Sequence, residues 1–172
     1  MDKVPIRKNI RLKHYDYSQA GYYFVTICTN KRMNLFWNMK CRGDLWSPEI
    51  GIKEMPLSHI GKIVDAEINR INSFYENVEI NKYVVMPNHI HMIIVLYNEN
   101  GRSKTAPTIS RIVQQFKGSI SKQVGFSLWQ KSFYDHIIRN EREYQEIWQY
   151  IDTNPKRWEE DEYYIEPFVI CT

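Results

Sequence analysis

The sequence predicts an α+β fold: an antiparallel sheet built in the order strand, helix, strand, strand, helix, strand, with an added C-terminal helix. Three observations carry that expectation. Apolar residues recur with strand-like and helix-like periods in alternating segments. Gly, Pro and Asn separate those segments at short intervals. A capping residue stands at the head of each helical segment.

The elements follow in order. Residues 21–30, GYYFVTICTN, are β-branched and aromatic and bounded by Gly and Asn, which reads as the first strand. Residues 31–56 hold Gly43, Pro48, Gly51 and Pro56 without helical period, the pattern of a long loop or small hairpin. Ser58 is placed to cap a helix through Ser73, with Ile60, Ile63, Val64, Ile68 and Ile71 along one face. NVEINKYVVMP reads as a strand ending at Pro87, which has no N–H for a ladder. A tight turn at Pro87 and Asn88 leads into the strand HIHMIIVL. Residues 98–108 are polar, with Gly101 and Pro107, and read as an exposed loop. Ser110 is expected to cap the helix RIVQQFKGSISKQV, whose Ile112, Val113, Phe116 and Ile120 share helical spacing. SLWQKSFYDHIIR is expected as the fourth strand. Asn140 with Glu143 three residues on is a capping-box signal for the last helix. That helix is expected to stop near Asn154, because Pro155 disfavours the α conformation before it. The first six elements make the ferredoxin-like βαββαβ pattern. One domain over residues 1–172 is expected, its N-terminal segment 1–20 basic.

Composition excludes several classes. An apolar share of 43% supports a packed core, so the chain is not disordered. No run approaches ~18 apolar residues, so no membrane span is expected. The first residues lack the apolar stretch of a secretory signal. Cys28, Cys41 and Cys171 are odd in number and far apart, which fits neither a disulfide framework nor a cysteine zinc site. A reducing cytoplasm is the simplest compartment. The net charge of +3 is mild, but its distribution is uneven. Arg7, Lys8, Arg11, Lys13 and His14 crowd one segment, and Arg102 and Lys104 sit in a later loop. Such clusters suit phosphate contact, although a solvated surface explains either one equally well. Most of the 12 tyrosines must be packing residues, since stacking platforms need only a few.

His89 and His91 interrupt the apolar run YVVMPNHIHMIIVL. On a strand, residues i and i+2 share a face, so the two imidazoles project side by side. That suits a metal site, while an isolated His-x-His pair is more often two satisfied core or turn histidines. A metal also needs a third protein ligand, usually from another element. In the last helix, Tyr144, Ile147, Trp148 and Ile151 form the expected core stripe. Tyr150 lies at its edge, and Asn154 stacks one turn above it on the same flank. Alone these read as a surface tyrosine and a helix-end asparagine. Beside the histidine pair they offer two imidazoles, an amide oxygen and a phenol.

The strings YYFVTICTNKR, VVMPNHIHMIIV, ISRIVQQFKGSIS and WQKSFYDHIIRNEREYQEIWQYIDTNPKRW, in that order, resemble the single-tyrosine transposases of the HUH nuclease class, and most of all their REP-associated branch. The likeness spans about residues 21–158. It implies an enzyme that cuts and rejoins single-stranded DNA, often beside a hairpin, with Mg²⁺ or Mn²⁺. It implies metal ligation by His89 and His91, a tyrosine nucleophile at Tyr150, and Asn154 as the polar third ligand where wider relatives carry Gln. Dimerisation is left open. His136 could contact DNA or face solvent, and Tyr134 and Tyr144 are rival nucleophiles. Two other readings compete: a non-catalytic single-strand binder that stacks bases, and a metal-dependent hydrolase using activated water with Tyr150 as bystander.

The cation cluster yields a test. Replacing Arg7, Lys8, Arg11 and Lys13 by Ala should flatten the salt dependence of single-stranded DNA binding, by ~0.7 in log–log slope for each phosphate no longer neutralised. An unchanged slope in a salt titration would make the segment merely solvated.

Overall fold

Four strands form one antiparallel sheet in the order β2-β3-β1-β4: β1 (Gly21–Cys28), β2 (Val78–Val85), β3 (His89–Leu96) and β4 (Tyr134–Ile138). Helices α1 (His59–Phe74), α2 (Ile109–Val124) and α3 (Glu141–Thr153) complete the α+β architecture. The computed structural model describes residues 16–38, 57–97 and 107–165. Residues 39–56 of the loop expected over 31–56, the basic N-terminal segment up to residue 15 and the loop bearing Arg102 and Lys104 lie outside these. No helix among the described residues is long and apolar enough to cross a membrane.

The two-residue period of the strands sorts their side chains onto two faces. Tyr23, Val25 and Ile27 of β1 and Ile90, Met92 and Ile94 of β3 face α1 and α2, meeting Val64, Ile68, Ile112 and Phe116 in the main core. The alternate residues Phe24, Ile93, Val95 and Ile138 form a smaller cluster with Ile151 of α3. All eight residues of β3 are buried, as a central strand covered on both faces requires.

Local signals explain most boundaries. Ser58 Oγ accepts from Gly61 N–H at 3.0 Å, capping α1 as expected. Asn140 Oδ1 accepts from Glu143 N–H at 2.9 Å and starts α3. The Glu143 carboxylate accepts from Arg139 N–H at 2.7 Å, one residue before the cap. After Thr153 the chain tightens into a 3-10 turn, Asn154–Glu160, with Pro155 in its first turn.

Three details differ from the sequence reading. The cap of α2 is Thr108, whose Oγ1 accepts from Arg111 N–H at 3.3 Å; Ser110 lies inside the helix because the buried Ile109 begins it. The fourth strand is only Tyr134–Ile138. Before it, the Lys117 ammonium donates to the carbonyls of Gln130 and Ser132 at 2.9 and 3.0 Å, using acceptors that a ladder would need. Trp148 is exposed rather than on the core stripe, and the Lys82 ammonium lies 3.6 Å from its ring centroid.

Gly61 makes a close approach that sequence alone does not reveal. A Cβ there would lie 2.1 Å from the carbonyl oxygen of Phe36, whereas one on Gly118 would meet nothing within 4 Å. Gly61→Ala should therefore destabilise by about 1–3 kcal/mol through overpacking. Gly118→Ala, exposed inside α2, should stabilise by up to ~1 kcal/mol. Thermal melting of both variants checks the opposite signs.

Candidate functional site

β3 turns His89 and His91 towards the α3 side of the sheet, where both are buried. Their Nε2 atoms stand 2.9 Å apart. The outer nitrogens are also held: His89 Nδ1 is 2.8 Å from Asn88 Oδ1, and His91 Nδ1 is 2.8 Å from Thr26 Oγ1. Thr26 reaches His91 because the two are direct partners in the β1–β3 register. Phe24 stacks on the His91 ring at 5.3 Å, and the Tyr163 ring lies 4.7 Å from that of His89.

From α3, Tyr150 brings its Oη to 3.3 Å from His91 Nε2 while remaining 40% exposed. Asn154, one turn on and 4% exposed, lines the same cleft. The cleft measures about 700 Å³, and its walls include Phe24, Tyr134, Arg157, Asp161 and Tyr163. The 3-10 turn carries Asp161 back to the sheet. Its Oδ2 lies 4.0 Å from His89 Nε2, and its Oδ1 accepts from Tyr163 N–H at 2.7 Å. One ligand atom each from His89, His91 and Asp161 falls within 4.8 Å of the others. This donor set fits a divalent cation: two imidazole nitrogens and a carboxylate oxygen, converging from two segments.

Burial sets the electrostatics. It lowers the pKa of His91 to about 3. It holds His89 well below the usual histidine range as well, with His91 and Arg32 adding to the effect. Both rings are thus neutral at pH 7, the form that ligates metal. Tyr150 is pushed up to about 12, first by burial and then by the charges of Asp161 and Glu162, with Asn154 opposing. Its phenol keeps its proton at neutral pH unless positive charge is brought beside it.

The sequence-derived candidates His91, Tyr150 and Asn154 therefore line one cleft, and His89 lies buried beside His91, its Nε2 2.9 Å from that of His91. His136 shares that face of the sheet but is bonded to Glu143 at 2.6 Å. Tyr134 lines the cleft, whereas the Tyr144 hydroxyl donates to Asn81 Oδ1 at 2.6 Å. Arg7, Lys8, Arg11, Lys13, Arg102 and Lys104 lie outside the described residues. Sequence reasoning missed Thr26, Asn88, Asp161 and Tyr163. Asn88 had a signal, since it directly precedes the histidine pair. Asp161 had none, because it sits in the acidic run EEDE, which reads as solvated.

No protein-family model matches the chain. It is 33% identical over 180 residues to an uncharacterized protein of Haemophilus influenzae, covering 93% of this chain and 94% of that one. It is 34% identical over 77 residues to a REP-associated tyrosine transposase of Escherichia coli, a match covering 45% of this chain and 44% of that protein. Among solved structures, a REP-associated tyrosine transposase bound to a REP hairpin superposes with a TM-score of 0.58 at 23% identity, over 86% of this chain and 74% of that chain. That last likeness speaks to the fold.

The buried rings give stability a pH dependence of fixed sign. Near and above pH 7 both are largely neutral whether the chain is folded or unfolded. As pH falls below the ordinary value of 6.5, the unfolded chain takes up protons that the folded site refuses, so stability is lost. For His91 alone the loss reaches about 2 kcal/mol by pH 5. Melting in chelator should show Tm falling from pH 7 to 5, and less steeply in His91→Gln. Equal slopes would mean that the buried ring does not titrate in this way.

Proposed function

We propose that this chain is a relative of the REP-associated tyrosine transposases, and that it cuts and rejoins single-stranded DNA through a covalent 5′-phosphotyrosine link. The observation that carries the reading is the position of Tyr150 Oη, 3.3 Å from His91 Nε2, in a cleft that Asp161 also lines, with His89 beside His91 in the same cluster of possible ligands.

In this reading His89, His91 and an oxygen of Asp161 would hold Mg²⁺ or Mn²⁺, with the amide oxygen of Asn154 as a further donor. A divalent cation held there would withdraw charge from the scissile phosphate. The remaining work falls to the chain. Tyr150 gives its phenolic proton to solvent in the open cleft, and its oxygen attacks phosphorus. An Oη–P bond forms as the P–O3′ bond breaks, and the departing 3′ oxygen takes up a proton. The 5′ phosphate stays on Tyr150, so a 3′ hydroxyl can later reverse the step without an external energy source. Phe24, Tyr134 and Tyr163 give the cleft aromatic walls on which unstacked bases can rest. The basic segment at residues 1–20, with Arg102, Lys104 and His136, is assigned to the DNA backbone, and a hairpin-flanked single strand is the proposed partner.

The pattern of substitutions tests this. Tyr150→Phe keeps the ring, so it should melt and bind single-stranded DNA like the parent yet form no covalent adduct on a denaturing gel. Tyr134→Phe and Tyr144→Phe should keep adduct formation, while His91→Ala and chelator should each abolish it. An adduct in Tyr150→Phe moves the nucleophile elsewhere. Full activity in chelator removes the cation from the mechanism. Binding without any adduct in the parent leaves a non-catalytic single-strand binder.

A further inference from the structure

The hydrogen bonds behind the two histidines define which nitrogen of each ring carries its hydrogen. The inference drawn from them rests on the metal reading above. Asn88 is fully buried, and its amide orientation is fixed at the far end. Nδ2 donates to the carbonyls of Tyr163 at 2.8 Å and Arg32 at 3.2 Å, two acceptors that an oxygen in its place would repel. Oδ1 is therefore the atom facing His89, and as an acceptor it requires the hydrogen on His89 Nδ1. A neutral imidazole has one hydrogen, so His89 Nε2 is a lone pair.

That lone pair lies 2.9 Å from His91 Nε2, a distance that needs a hydrogen between the nitrogens. His91 supplies it. Its Nδ1 is then the acceptor of the Thr26 hydroxyl at 2.8 Å. Ligation through Nε2 demands the reverse arrangement, with the hydrogen on Nδ1 and Thr26 Oγ1 receiving it. A carbonyl oxygen such as Asn88 Oδ1 only accepts, whereas a hydroxyl has one hydrogen to donate and two lone pairs. The two partners behind the rings thus differ in kind.

We propose that Asn88 and Thr26 are positioning residues with different tasks: Asn88 locks His89 in the ligating tautomer, and Thr26 rotates its hydroxyl so that His91 can exchange tautomers. The exchange converts a ring-to-ring hydrogen bond into a pair of convergent lone pairs. One hydrogen leaves Nε2 for water and one arrives at Nδ1 from water, so the ring stays neutral and no net proton is released. Thr26 is 3% exposed, so solvent is poorly placed to replace the hydroxyl in this role.

The test uses the whole chain, with Zn²⁺ as a diamagnetic probe that imidazole binds well. Imidazole ¹⁵N spectra of the chelated parent should place the hydrogen on Nδ1 of His89 and on Nε2 of His91. With Zn²⁺ both rings should carry it on Nδ1. By calorimetry, Thr26→Val, which keeps the β-branched shape, should bind Zn²⁺ ~10–100-fold more weakly; it should still fold cooperatively, with a lowered Tm because His91 Nδ1 loses its partner. Thr26→Ser, which restores the hydroxyl, should bind within a few-fold of the parent. A hydrogen on Nδ1 of His91 in chelator overturns the proposal, as do parent-like binding by Thr26→Val or a Thr26→Ser loss as large as that of the valine variant. A parent that binds no Zn²⁺ overturns the metal reading and the exchange with it, while the chelated spectra still decide the assignment of Asn88.

Discussion

β1 and β3 run antiparallel from Gly21↔Leu96 to Cys28↔His89, and that register governs what the cleft contains. A slip of one residue would send every side chain of the shifted strand to the opposite face. Met92 would enter the cleft and His91 the main core. In the observed register His91 meets the hydroxyl of Thr26, while Phe24 stacks against its ring. Burying two polar rings in the centre of a sheet is tolerable only where each nitrogen has a partner. Each does: Asn88, Thr26 and the rings themselves account for all four.

The same burial gives the cleft its electrical character. It holds the imidazoles neutral, and Asp161 and Glu162 bring negative charge to the opposite wall. A phenol in that field resists ionisation, and a phosphate approaching it meets like charge. Positive charge in the cleft relieves both effects together. By linkage, a cation and a phosphodiester that each ease the other's entry must strengthen one another's binding by the same factor. On the proposed reading, a cation affinity measured without DNA is then a lower bound on the affinity with DNA bound.

What the sequence made legible was whatever a local period could encode. Alternation revealed the strands, helical spacing revealed α1 and α2, and the i, i+2 rule placed His89 and His91 on one face. The i, i+4 rule put Tyr150 and Asn154 on one flank, and both line the cleft. The hidden parts depend on distant partners. Residues 127–133 alternate like a strand, yet Lys117 takes two of the carbonyls that a ladder would use. Trp148 is apolar and correctly spaced, yet Lys82 from β2 holds it at the surface. Asp161 enters the site only because a 3-10 turn after α3 redirects the chain, which no pattern in EEDEYY announces.

The helix carrying Tyr150 holds the smallest share of the interior. Its buried residue is Ile151, whereas α2 buries Ile109, Ile112, Val113, Phe116 and Ile120. It is tied down instead by polar contacts at its margins, Lys82 to Asp152, Tyr144 to Asn81 and Glu143 to His136. Regions with few apolar contacts open at lower free energy than the whole molecule unfolds. α3 is therefore expected to open from the sheet at lower free energy than the two larger helices. Reach and endurance are divided between two parts of one small domain: the phenol's placement can be lost and regained many times within a single lifetime of the sheet that holds the imidazoles.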